Sequence, residues 1–333
     1  MKSIATLAAG LIATTALTIA MTGTARADAH AMKWDMPLAY SATNFHSENA
    51  AEFATCVGDK SAGALTITTH PSGSLFKGGE IKRAIQTGQA NIGERLLSAH
   101  ANENPIFGID SVPFLATSFD DSVKLYEQAK PELEKALDEQ NMVLLYSVPW
   151  PPQGLYFKKP VASVADMKGL KFRAYNAATS RFAELTGMQP TQIEAAEVQQ
   201  AFSTNAVESM VSSGATGYDQ KVFDSGVTHY YEVDAWLPRN SILVNKDAMA
   251  SLKDDQKTAL MDCAAEAEAR GLQKSKDYTQ FTYDGLREGG MTVEPASDAL
   301  KGELQAIGAT MTDEWLSEAG EAGKAVVDAY KGG

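Results

Sequence analysis

The 333-residue chain is short of positive charge, with 29 Lys and Arg against 42 Asp and Glu and a formal net charge of -13. A surface of that sign repels phosphate backbones and anionic headgroups, which argues against nucleic acid and a lipid surface as partners. Histidine is sparse too. His30, His46, His70, His100 and His229 are scattered, and none forms the i, i+4 pair with a glutamate that a zinc hydrolase carries. No Gly-x-Ser-x-Gly elbow, phosphate-cradling Gly-x-x-x-x-Gly-Lys-Ser/Thr loop or Gly-x-Gly-x-x-Gly turn occurs, so neither serine-hydrolase nor nucleotide chemistry is supported. Ser74-Leu75-Phe76-Lys77 fits the Ser-x-x-Lys pattern of acylating enzymes, but the companion Ser-Asp-Asn and Lys-Thr-Gly motifs are missing. Carboxylates such as Glu132, Glu134, Asp138 and Glu139 read as a solvated helix face, not as an acid/base pair. No metal and no cofactor is expected.

What is present is the make-up of a folded protein, 44% hydrophobic and 21% charged, which excludes disordered and collagen-like classes. The length admits two ordinary domains. Residues 1–27 read as an export signal: Lys2 supplies the positive start, Leu7 to Met21 is apolar, and Ala25-Arg26-Ala27 is a small-x-small cleavage site. Cleavage after Ala27 is expected, and no later run reaches the roughly 20 apolar residues of a spanning helix. The only cysteines, Cys56 and Cys263, would be free to pair in an oxidising compartment. Both sit in helix-like segments among alanines, where a buried free thiol is the commoner outcome, and sequence does not show their separation.

Strand and helix signals alternate along the chain. Trp34 to Tyr40, Leu65 to His70, Ile92-Gly93 and Met142 to Tyr146 read as strands, interleaved with helices over Ser47 to Ser61, Gly79 to Thr87 and a stretch capped by Ser118. Three prolines in Pro149-Trp150-Pro151-Pro152 deny ladder hydrogen bonds and mark a crossing between lobes. A second series follows, with strands at Gly154 to Phe157, Leu170 to Ala174, Val207 to Val211 and Ile242 to Asn245, and helices at Ala177 to Thr186 and Ala195 to Phe202. Two long Ala-rich helical stretches, Ser251 to Glu288 and Asp298 to Lys331, close the chain. The pattern predicts an α/β protein, with helices packed on a largely parallel sheet in each of two lobes. The hinge between the lobes could shut a cleft, and the long C-terminal helices would brace both. The expected division is 28–149 plus about 242–276 for one lobe and 150–241 plus about 277–333 for the other.

Several stretches, in order, resemble one family. Gln86-Thr87-Gly88-Gln89-Ala90-Asn91-Ile92-Gly93, Val112-Pro113-Phe114-Leu115, Gly169-Leu170-Lys171-Phe172-Arg173, Ala201 to Ser209 and His229 to Asn245 are similar to the DctP-like periplasmic solute-binding subunits of tripartite ATP-independent periplasmic (TRAP) transporters. The resemblance covers nearly all of the chain after residue 27. It implies a two-lobed periplasmic-binding-protein fold, a periplasmic location, capture of a small organic acid without covalent change, and delivery to small and large TRAP membrane subunits. A monomer is expected. The rival classes are the binding protein of an ATP-driven importer and, more remotely, a secreted enzyme.

The resemblance also implies a residue. The arginine that closes the Gly-Leu-Lys-x-Arg strand receives the ligand's carboxylate, and here it is Arg173. The chemistry agrees, because a guanidinium can hold both carboxylate oxygens and stays charged when buried. Two departures from the family stand beside it: Tyr175 in place of a common proline, and Ser212, followed by Ser213, where an amide often helps hold the carboxylate. Candidates for the rest of the pocket come from strand ends: Phe45 and His46 after the first strand, Arg95 after Ile92-Gly93, Trp150 at the crossing and Trp236 before the strand at Ile242. Arg95 has an alternative as an ion-pair partner of Glu94 or Glu103. The aromatic candidates favour a ligand with an apolar or aromatic body.

Overall fold

Met32–Pro37 points Trp34 and Met36 inward and Lys33 and Asp35 outward, the period-two pattern of a half-buried strand, and forms β1. The computed structural model describes residues 31–332; the export signal and the expected cleavage after Ala27 lie outside the described residues. After β1 come α1 (Phe45–Lys60), β2 (Leu65–His70), α2 (Ile81–Gln86), β3 (Ile92–Leu96), α3 (Phe119–Asp138) and β4 (Met142–Pro149). The chain continues through β5 (Gln153–Phe157), β6 (Lys171–Ala174), α4 (Ala177–Leu185), β7 (Gln189–Gln192), α5 (Val198–Ser203), β8 (Ser209–Ser213), α6 (Gly214–Asp219) and β9 (His229–Glu232). It ends with β10 (Arg239–Asn245), α7 (Lys246–Ala250), α8 (Asp254–Glu288), β11 (Thr292–Pro295) and α9 (Asp298–Gly332). Ser118 caps α3 as expected, its side chain accepting from the Asp121 backbone N–H.

The strands form two lobes. In the first, β1 and β2 pair in parallel and β10 lies between β3 and β4, antiparallel to both. In the second, six strands run in the order β11-β9-β5-β8-β6-β7, with β6, β7 and β8 mutually parallel and β5 antiparallel to its neighbours β8 and β9. The expectation of largely parallel sheets is thus corrected: β10 returns from the second lobe and inserts in reverse between two parallel strands of the first. The strands missed in the sequence are chiefly edges. β7 is Gln-Pro-Thr-Gln and β11 is Thr-Val-Glu-Pro; a polar edge strand with a proline has no apolar alternation to detect.

Each lobe buries apolar side chains on both sheet faces. Ile242 and Val244 of β10 join Phe53, Val148 and Leu260 on one side, while Leu243 joins Ile85, Leu125 and Leu137 on the other. In the second lobe Leu155, Phe172 and Val211 face one cluster, and Tyr156, Met210 and Tyr230 the opposite one. The 35-residue α8, about 50 Å long at 1.5 Å per residue, contributes Leu260, Ala264 and Ala267 to the first lobe and Tyr283 and Leu286 to the second. α9 likewise gives Leu300, Leu304 and Met311 to the second lobe. It bends at Gly320, whose φ of 59° suits glycine, and returns Val326 and Val327 to the first.

Two further crossings join the lobes at the proline-rich stretch. The chain leaving β4 and the chain entering β10 run side by side, the Trp150 N–H donating to the Pro238 carbonyl (2.7 Å) and the Gln153 N–H to the Trp236 carbonyl (3.0 Å).

The free-thiol expectation for the cysteines is overturned. Cys56 of α1 and Cys263 of α8 form a disulfide, their Cα atoms 5.9 Å apart and 207 residues separated in sequence. The apolar spacing Leu260, Cys263, Ala264, Ala267 turns one face of α8 onto α1. Asn49 Nδ2 donates to the Ala267 carbonyl (2.9 Å) and Arg270 pairs with Glu52 (2.9 Å), which keeps that face in register. A cross-link closing so long a loop restricts the unfolded chain by about 2–5 kcal/mol. Replacing both cysteines by serine is therefore expected to lower Tm by several degrees. Dithiothreitol should lower the unsubstituted protein to the same value and leave the variant unmoved, which scanning calorimetry checks.

Candidate ligand-binding site

The cleft lies where strand ends of both lobes meet the crossings. Tyr40, Arg95, Leu96, Trp150, Gln153, Arg173, Tyr175, Glu194, Ala195, Ser212, Thr216 and Pro238 line a space of about 430 Å³, its open mouth included. It opens on a neighbouring hollow that shares Tyr40, Trp150, Ala195 and Thr216 and ends at Asp219 and Gln220.

β6 sits inside the six-stranded sheet, between β8 and β7, and carries Arg173 near its carboxyl end. Arg173 is 3% exposed. Its Nε donates to the Ile193 carbonyl (2.8 Å), and its guanidinium lies 5.1 Å from the centre of the Tyr175 ring. Burial pulls its pKa down, against the opposing pull of Tyr175, Glu194 and Tyr40, yet a guanidinium keeps its charge in such surroundings. Among the described residues it forms no ion pair, and its two terminal nitrogens have no hydrogen-bond partner. A buried cation with two unused donors in a cleft has one evident complement, an anion that accepts from both.

The wall around it is held by a chain of hydrogen bonds. Trp236 Nε1 donates to the Tyr175 hydroxyl (2.9 Å), which donates to Gln153 Oε1 (3.1 Å), while Gln153 Nε2 donates to the Pro151 carbonyl (3.1 Å). Trp150 Nε1 donates to Asn240 Oδ1 (2.9 Å), and its ring meets Tyr40 edge-on at 4.9 Å. Tyr40 and Tyr175 are pushed to high pKa, chiefly by burial, and remain neutral donors. The hydroxyls of Ser212 and Thr216, on β8 and α6, hydrogen-bond to no described residue. Among the described residues the site therefore offers one free cation, aromatic walls and uncommitted hydroxyls.

Of the residues expected from sequence, Arg173, Tyr175, Ser212, Trp150 and Arg95 come together in this lining. Arg95 pairs with neither Glu94 nor Glu103: its Nη2 lies 3.3 Å from Glu194 Oε1, and its Nε donates to His100 Nε2 (3.2 Å). Phe45, His46, Ser213 and Trp236 do not line the cleft. Phe45 opens α1, and its ring packs edge-on against Trp150 at 5.4 Å from within the core. His46 lies 4.4 Å from the same indole. Ser213 faces away from Ser212, as successive residues of a strand must, and caps α6. Trp236 is 1% exposed and acts by positioning Tyr175. Tyr40, Gln153, Glu194 and Thr216 were not anticipated. Tyr40 and Gln153 had a usable signal, each standing just beyond a strand end or crossing, but Glu194, beside Glu197 in a charged stretch, reads as a solvated surface.

Behind the cleft, His46 and Glu94 face each other, Nδ1 to Oε1 at 3.6 Å, both almost fully buried. Burial drives the His46 pKa well below its usual value, with Arg239 adding to the effect, and pushes Glu94 up to about 7. Between the lowered His46 pKa and about pH 7 both groups are neutral, a contact between uncharged groups. Among the described residues no cluster of three or more potential metal ligands occurs, and no helix is long and apolar enough to cross a membrane.

The fold and the cleft define a class, the two-lobed α/β solute receptor with a cleft between its lobes. The sequence profile described as "Bacterial extracellular solute-binding protein, family 7", the DctP family, matches residues 39–318, and the chain belongs to this family of TRAP solute receptors. It is 53% identical to a TRAP solute-binding protein of an unidentified marine microbe, described as specific for pyroglutamate and crystallised with that ligand. That match covers 91% of this chain and 100% of the other, with a TM-score of 0.90. DctP6 of Bordetella pertussis, an extracytoplasmic solute receptor binding pyroglutamic acid, is 45% identical over 91% of this chain and 100% of its own, with a TM-score of 0.89. The monocarboxylate 2-oxoacid-binding periplasmic protein of Nostoc sp. is 23% identical over 92% of this chain and 86% of its own.

The Glu94 carboxyl yields a pH prediction. It ionises near 4.5 unfolded and about 7 folded, so the stability of its protonated form is full below about pH 4.5 and is lost as the pH rises through 7. Glu94→Gln should match the unsubstituted protein near pH 4.5 and exceed it in Tm by several degrees at pH 8; a difference that does not change with pH in thermal melts contradicts this.

Proposed function

We propose that the protein captures a small monocarboxylate with a compact, partly apolar body, pyroglutamate or a close analogue, and hands it to the membrane subunits of a TRAP transporter. The observation that carries this reading is Arg173, a buried guanidinium that faces a cleft between lobes and has no ion-pair partner among the described residues. The carboxylate would lie in a bidentate pair on Arg173, with the Ser212 hydroxyl as a further donor and Trp150, Tyr40 and Tyr175 around the ring. The two relatives that share 53% and 45% of their residues with this chain and are described as pyroglutamate-binding support the choice of ligand.

In this account residues 28–149 plus about 242–276 act as one lobe and 150–241 plus about 277–333 as the other. They close about the paired crossings at Trp150 and Pro238, and α9 beyond Gly320 rests on the first lobe. Closure follows from contacts made only when the lobes meet, since a ligand indifferent to closure would shift no population. The chain would act in the periplasm as a monomer after cleavage at Ala27, without chemical change to its cargo.

Titration calorimetry with pyroglutamate tests the reading. The intact protein should bind it, and Arg173→Ala should weaken binding by roughly 30-fold to several thousand-fold, the effect of about 2–5 kcal/mol for losing one partner of a buried charge pair. A thermal-shift screen in which only neutral sugars or cations raise Tm would contradict it.

A further inference from the structure

Among the residues that line the cleft, Arg95, Arg173 and Glu194 are the formally charged ones. Arg95 projects from β3 of the first lobe, and Glu194 stands just beyond β7 of the second, so their 3.3 Å ion pair spans the cleft. Among the described residues Arg173 has no such partner. We infer that Glu194 is a specificity-determining residue: it neutralises Arg95, leaves Arg173 to receive one carboxylate and repels a second, so that the cleft selects monoanions over dianions. The inference rests on the reading that Arg173 holds the ligand's carboxylate.

The placement of Glu194 is built into the backbone. Its neighbour Ile193 is tied to β6 from both sides: the Ile193 N–H donates to the Ala174 carbonyl (3.0 Å), and the Ile193 carbonyl accepts from Arg173 Nε (2.8 Å). The residue that anchors Arg173 thereby also fixes where the next side chain starts. On the opposite wall Gly78 leaves room for the pair. A methyl group there would lie 3.1 Å from Arg95 Nη1 and 3.2 Å from Glu194 Oε2.

With two arginines and one glutamate the lining carries a net charge of +1, which a monocarboxylate brings to zero. A dicarboxylate would leave one negative charge uncompensated in a half-closed space and set its second carboxylate near Glu194, an arrangement of like charges that specific sites use to reject a competitor. The Glu194 side chain is 52% exposed, so solvent screens its field and the discrimination it supplies is moderate and salt-dependent.

The experiment is titration calorimetry of the full protein with pyroglutamate and with glutarate, which keeps the carbon count and replaces the lactam by a second carboxylate. The unsubstituted protein should prefer pyroglutamate. Glu194→Gln raises the lining to +2 and should shrink that preference by about tenfold, chiefly by tightening glutarate, with a smaller change at high salt. The double variant Arg95→Gln with Glu194→Gln returns the lining to +1 and should recover most of the preference. If pyroglutamate binds and Arg173→Ala abolishes that binding, yet the preference stays within threefold in Glu194→Gln, Glu194 has no such role and the proposed function stands. If Arg173→Ala binds pyroglutamate as tightly as the unsubstituted protein does, the proposed function fails and takes this inference with it.

Discussion

A charged guanidinium held at 3% exposure with a single neutral carbonyl as its partner is an unstable arrangement unless something else is meant to satisfy it. Drawing a guanidinium so far out of water has a desolvation cost that one carbonyl contact does not recover. Arg173 is therefore the point on which the remaining geometry turns. β6 carries it within the sheet, the loop beyond β7 steadies it through Ile193, and Tyr175 lies beside its cationic plane. Each of these contacts constrains the side chain without neutralising it, so the charge remains available to a ligand.

The architecture keeps that charge accessible to a small molecule yet shielded from bulk water. The three-stranded sheet of the first lobe and the six-stranded sheet of the second, each packed on both faces, are joined by paired crossings and braced by α8 and α9, so the lobes are firm bodies with few joints. The disulfide between α1 and α8 stiffens the first lobe rather than the crossings, since both its ends lie in one hydrophobic cluster. A cleft between such bodies favours recognition by assembly: Arg173, Ser212 and Tyr175 come from one side, Tyr40 and Arg95 from the other, and Trp150 and Gln153 from the crossing between them. No single lobe presents the complete lining.

Much of this was legible in the sequence where a strong local signal existed. The Ser118 cap, the strand at Leu65–His70, the proline-marked crossing and the two terminal helices all read directly, because capping, proline chemistry and helical periodicity act over a few residues. Arg173 is legible only through its motif, and among the described residues it lines the cleft without an ion pair. What escaped was set by contacts distant in sequence. The disulfide depends on two helices meeting across 207 residues, and β10 reverses the sheet because the chain comes back from the other lobe. Phe45, His46 and Trp236 stand beside the cleft but point into its supports, a distinction of side-chain direction that spacing alone does not resolve. Glu194 gave no signal, since its importance lies in facing Arg95 from the opposite lobe.

The central claim is that Arg173 grips a carboxylate as the lobes meet. A crystal structure of the protein with pyroglutamate bound tests it most directly. The account predicts both terminal guanidinium nitrogens at about 2.7–2.9 Å from the two carboxylate oxygens; a bound ligand with Arg173 turned away, or with its carboxylate on other residues, would contradict it.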